Sequence, residues 1–178
     1  MAESPPRSIP PYVDIRRSKR RKRTVSAYRD GERVVVLMPD RLSAVEEARW
    51  VETMLQRLEK QRSRSRVSDE KLLARAHELA CRHLPEVPEP ASVRWVSNQN
   101  RRWGSCTPAD RSIRLSSRLQ SMPAWVVDYV LIHELAHLIE PAHDAAFWKL
   151  VHRFPKSERA EGYLEGISAA ANLTLDDF

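Results

Sequence analysis

The sequence predicts an α+β fold, with a β-hairpin and helices first, then short strands, then a buried helix. Three observations predict it. Asp30-Gly31 lies between β-rich runs in TVSAYRDGERVVVLMP, and an Asp-Gly pair so flanked is the strongest short-range hairpin signal. Ala44, Ala48, Val51, Leu55 and Leu58 recur at the spacing of an amphipathic helix. Further on, three short strand-like runs precede PAWVVDYVLIHELAH, which is apolar almost all round, as a buried helix is.

The elements follow in order. Residues 1–11, with Pro5, Pro6, Pro10 and Pro11, read as an irregular arm. The hairpin closes at Pro39-Asp40, and a helix runs from Ser43 to about Arg62. Ser68 and Asp69 offer N-caps for a second helix to Leu84, which Pro85, Pro88 and Pro90 terminate. SVRWVS, RRWGSC and RSIRLSS are strand candidates, the last two joined by a Pro108-Ala109-Asp110 turn. Pro123, tolerated in a first turn, opens a helix to about Glu140. Beyond Pro141 come helices over about Asp144–Arg153 and Ser157–Ala171. The expected organisation is an arm (1–11), a basic hairpin and helical region (12–90) and a metal-binding region (91–178), with 12–178 forming one compact unit.

With 178 residues and 42% hydrophobic content the chain suits one domain with an appended arm. No run of 18 apolar residues occurs, and the first 25 residues are rich in Pro and Arg without an apolar h-region. Neither a membrane span nor a secretory signal is expected, and the expected location is cytoplasmic. Cys81 and Cys106 are read as reduced thiols, Cys81 as a buried packing residue. The net charge of +6 is uneven: residues 1–120 hold 26 Lys and Arg against 15 Asp and Glu, residues 121–178 only 4 against 9. The densest cluster is Arg16, Arg17, Lys19, Arg20, Arg21, Lys22 and Arg23. Such a run either follows a nucleic-acid backbone by releasing counterions or forms a solvated face.

Two helical stretches differ by one letter, HELAC at 77–81 and HELAH at 133–137. Histidines four residues apart share a helix face and can bind one Zn²⁺, and the Glu beside the first can act as general base toward water that the metal activates. HELAH supplies His133, Glu134 and His137. A catalytic zinc usually takes a third protein ligand and keeps a fourth position open. His143, six residues beyond His137, can be that ligand because Pro141 breaks the helix. In a continuous helix, six residues would turn His143 away by about 240°. HELAC has no comparable third ligand, since His83 lies on another face. A closed structural site would need a fourth donor, for which Cys106 is the one candidate.

From about Val93 to Ala170 the chain resembles the YgjP-like family of predicted metal-dependent hydrolases, related to the WLM and SprT-like zinc peptidases. The residues that carry the likeness are Arg102-Trp103-Gly104-Ser105-Cys106, Ile113-Arg114-Leu115, Pro123, Asp128-Tyr129-Val130, HELAH, His143, Phe147-Trp148 and Leu150-Val151. The resemblance implies a zincin-like fold, a small antiparallel or mixed sheet packed on the HELAH helix, with one zinc ion held by His133, His137 and His143, and Glu134 as base. Ala142 and Asp144 depart from the pattern, where Asn and Ser are common, though Asp144 can still cap the next helix. Metzincins share the spacing of the third His but need Gly at the position of Glu140 and a later Met-turn, and no Met follows Met122.

The function expected is hydrolysis of peptide bonds by metal-activated water. The resemblance also suggests a sheet edge for an extended substrate, with Trp103, Gly104 and Ser105 as binding residues because Gly104 permits close approach. His152 and Tyr163 are the oxyanion candidates. The alternatives are a DNA-associated protease or nucleic-acid-binding protein acting through the basic cluster, a pseudoenzyme whose zinc only organises the fold, and hydrolysis of a non-peptide amide.

Overall fold

The computed structural model describes residues 9–99 and 101–170. The first eight residues of the Pro-rich arm and those beyond Ala170 lie outside that range. The chain divides into two compact units, Met1–Arg64 and Ser65–Phe178, where the sequence reading has a boundary at 90/91 within a single unit. The division falls inside a helix, in a stretch from Glu59 to Val67 whose side chains are all exposed. No buried apolar side chain there belongs to either core.

The first unit holds β1 (Val13–Ser18), β2 (Ser26–Asp30), β3 (Arg33–Pro39) and the start of α1 (Ala44–His83). β3 is central, with β2 antiparallel on one side and β1 parallel on the other. Its Val34, Val36 and Met38 are fully buried against Val51 and Met54 of α1. Asp30 pairs with Arg33, so the hairpin loop is Gly31-Glu32, with Gly31 at φ 59 where a side chain would be strained. β1 is an addition to the sequence reading. It has weak local signals and is held by its pairing to β3, with β2 intervening in sequence.

α1 begins in a capping box: Ser43 N donates to Glu46 Oε2 at 2.8 Å, and Glu46 N returns a bond to Ser43 Oγ at 3.3 Å. It is one helix of 40 residues, not the two expected. Gln61–Val67 contains neither Gly nor Pro to stop it. Asp69 caps no second helix; its Oδ1 accepts from Trp95 N at 3.0 Å. Cys81, expected in the core, is exposed.

The second unit contains the rest of α1, β4 (Ser92–Val96), β5 (Gly104–Thr107), β6 (Ser112–Ser116), α2 (Ala124–Ala136), α3 (Ala145–Val151) and α4 (Ser157–Ala170). The sheet order is β4-β6-β5, with β4 parallel and β5 antiparallel to β6, which makes β5 an edge strand. The Pro108–Asp110 turn between β5 and β6 is a single 3₁₀ turn. α2 packs on β5 and β6 and against α3 and α4, and every residue from Asp128 to Ala136 is buried. Arg75 of α1 grips Asp128 of α2 with two bonds, Nε–Oδ1 at 2.8 Å and Nη2–Oδ2 at 2.7 Å. Among the described residues no helix is long and apolar enough to cross a membrane.

Candidate metal centre

α2 stops at Ala136 rather than near Glu140, because the following turn tightens: Leu138 N bonds to Leu135 O and Ile139 N to Ala136 O. Pro141 then has no amide to continue with. Asp144 starts α3 by accepting from Ala146 N and Phe147 N, each at 3.0 Å. Between these two devices the chain reverses and carries His143 back to the end of α2.

His143 Nε2 lies 3.1 Å from His133 Nε2 and 3.1 Å from His137 Nε2. Two nitrogens bound to one tetrahedral metal at zinc bond lengths would stand about 3.3–3.4 Å apart, so this donor set fits a metal ion. Proton placement agrees. His137 Nδ1 is 3.0 Å from the Glu140 carbonyl, which accepts its proton and leaves the Nε2 lone pair facing the cluster. Burial pushes the His133 imidazole down to about 3, with His137 and His143 adding to the effect, so this ring is neutral.

One buried side chain organises the three rings. Phe147 has its centroid 4.8 Å from His133, 4.5 Å from His137, on which it stacks, and 4.7 Å from His143. Trp148 stacks on His143 with centroids 5.9 Å apart.

Glu134 is 5% exposed and packs under β5. A Cβ added to Gly104 would come within 2.8 Å of both Glu134 Cγ and Cδ. The missing side chain at Gly104 thus leaves room for the Glu134 carboxylate. The three histidines and Glu134 share a cleft of about 340 Å³ with Trp103, Gly104, Ser105 and Cys106. Trp103 is buried under the Arg118 guanidinium, 4.1 Å from its ring centroid, and Ser105 Oγ accepts from Gln99 Nε2 at 2.7 Å. Cys106 lines the cleft, but among the described residues the donors that come together are the three histidines. Burial, then the Glu134 charge, pushes the Cys106 thiol up to about 12.

Neither oxyanion candidate lines the cleft. His152 Nε2 is 3.4 Å from Glu161 Oε1, and Tyr163 packs edge-on against Trp125 at 5.4 Å. The basic cluster lies in the first unit and is split by its partners. Arg16 pairs with Asp14 at 3.0 Å and Arg17 with Glu47 at 2.6 Å, both from β1, while Lys19–Arg23 follow in the loop. Sequence reasoning missed the ring contacts of Phe147 and the position of Arg41 beside this loop. The first had a signal in the adjacent aromatics Phe147-Trp148; the second had none.

A donor set of two imidazoles one helical turn apart, a third from the next loop and a neighbouring carboxylate suits metal-dependent hydrolysis. The chain belongs to the YgjP-like metallopeptidase domain family, whose model matches residues 65–165 and thus nearly all of the second unit described here. That membership supports a metal-dependent peptidase. No curated protein matches the chain. Among solved structures it is similar to the metallopeptidase zymogen of Pyrococcus abyssi abylysin, at 24% identity and a TM-score of 0.46 over 60% of this chain and 97% of that one.

Proposed function

We propose that the chain is a zinc-dependent peptidase in which His133, His137 and His143 hold the metal and Glu134 is the general base. The observation that carries the reading is the convergence of three Nε2 atoms, 3.1 Å from His143 to each of the other two, beside a buried carboxylate. Three imidazole donors favour zinc and its neighbours over Mg²⁺ or Ca²⁺. Bound zinc supplies an acidified water and a polarised carbonyl. Glu134 takes the water proton on a carboxylate oxygen and delivers it to the leaving amine nitrogen. Gly104 keeps that carboxylate under β5, and the unpaired edge of β5 offers its backbone to an extended substrate, with Trp103, Gly104 and Ser105 beside the scissile bond. The substrate is a peptide or protein segment threaded along this edge.

Glu134→Gln tests the assignment. The variant should keep about one zinc per chain and lose about 10²–10⁴-fold in hydrolysis of a mixed peptide library read by mass spectrometry. Full activity in a zinc-loaded variant contradicts the base role. A zinc-loaded wild type that cleaves no member contradicts the peptidase reading.

A further inference from the structure

A second cleft, entirely within the first unit and of about 750 Å³, is lined by Arg20, Arg21, Lys22, Arg23, Thr24 and Arg41. We propose that it binds the phosphate backbone of nucleic acid without reading base sequence. The feature is built. Arg41 Nη2 donates to the Lys22 carbonyl at 2.6 Å, Arg21 Nη1 to Ser26 Oγ at 3.1 Å, and Arg21 N to Ser18 O at 3.2 Å, so the loop after β1 is tied on both sides. These bonds go to neutral oxygens and leave the positive charges uncompensated. Among the described residues no carboxylate pairs with any of the five cations, whereas the preceding Arg16 and Arg17 are neutralised by Asp14 and Glu47.

The lining selects the ligand class. Four of the five cations are arginines, whose planar fork suits phosphate oxygens. No aromatic lines the cleft, so bases have nothing to stack on, and no apolar side chain lines it that would enter a lipid surface. Five cations in one concavity match the repeating charge of a polymer better than a single anion.

The test is fluorescence anisotropy of a labelled mixed-sequence oligonucleotide, single-stranded and duplex, with the full chain across a salt series. Replacing Arg20, Arg21, Lys22 and Arg23 together by Gln should weaken duplex binding by on the order of 10²-fold and flatten the log–log salt slope by about 3–4. Replacing Arg57, Lys60, Arg62 and Arg64 of α1 by Gln removes the same charge from the same unit and serves as the control, with a loss of a few-fold. Arg41→Gln alone, which removes one cation and the tie to Lys22, should cost more than Arg62→Gln alone. Thermal unfolding of each variant separates lost binding from lost fold. Equal losses in the two quadruple variants would overturn the proposal in favour of diffuse charge. Binding indifferent to salt, or binding to phosphatidylglycerol vesicles with none to either oligonucleotide, would also overturn it. Competition by millimolar inorganic phosphate as strong as that by unlabelled oligonucleotide would reduce the site to a simple anion pocket and overturn the polymer assignment.

Discussion

Gly104 and Glu134 constrain each other, since the glycine is the one residue type that leaves room for the carboxylate. Gly104→Ala pushes a methyl group into Glu134 Cγ and Cδ without touching the histidines. The variant should retain zinc and lose hydrolysis by about 10²-fold through misplacement of the base, checked by elemental analysis beside peptide cleavage. Phe147→Leu is the reciprocal case, acting on the ligands and leaving the base alone. It should weaken zinc affinity by about 10-fold, measured by competition with a chromophoric chelator. Affinity unchanged in a folded variant would show that the three imidazoles do not depend on the ring. At this scale the three-histidine cluster was legible because its members follow a spacing along the chain: four residues on a helix, then a break, then His143. The seat of Glu134 and the role of Phe147 were not, because each depends on contacts between residues far apart in sequence.

The elements that position these residues differ in how they announce themselves. α2 was legible from Pro123 and its apolar run, and α3 from the capping aspartate, because caps and breakers act within a few residues. The end of α2 was misplaced by four residues because the tightened turn after Ala136 carries no sequence signal of its own. β1 was not anticipated, and the strand pairing explains why: its partner is β3, beyond β2 and the hairpin turn, not its neighbour in sequence. A half-buried pair fixes β1 to α1, Arg17 Nε–Glu47 Oε1 at 2.6 Å and Arg17 Nη2–Glu47 Oε2 at 2.7 Å, with Glu47 buried and Arg17 exposed. The Arg17 hydrogen bonds hold the Glu47 carboxyl below its ordinary 4.5, against burial, which pushes it up. A depressed pKa means that this stabilisation is complete above about 4.5 and is lost as pH falls through the folded value. Glu47→Gln should therefore cost about 1–2 kcal/mol near neutral pH and progressively less in acid, measured by urea unfolding across pH 3–7. Parallel pH curves for variant and wild type would contradict the role given to this carboxylate.

Across the whole molecule charge and chemistry are divided. Residues 1–64 hold sixteen Lys and Arg against nine Asp and Glu, and residues 65–178 hold fourteen against fifteen, so the net positive charge belongs to the first unit. The three-histidine cluster and the family match belong to the second. The fold class was readable from binary patterning and turn chemistry. The boundary between units was not, because α1 continues through it on helix-forming residues with no break in local pattern. The central claim is that three histidines from α2 and the loop after it form one metal centre. The most direct measurement is elemental analysis of wild type and His143→Ala, purified side by side without added metal. The account predicts about one zinc per chain in the wild type and its substantial loss in a folded His143→Ala protein. Zinc content unchanged by the loss of His143 would contradict it.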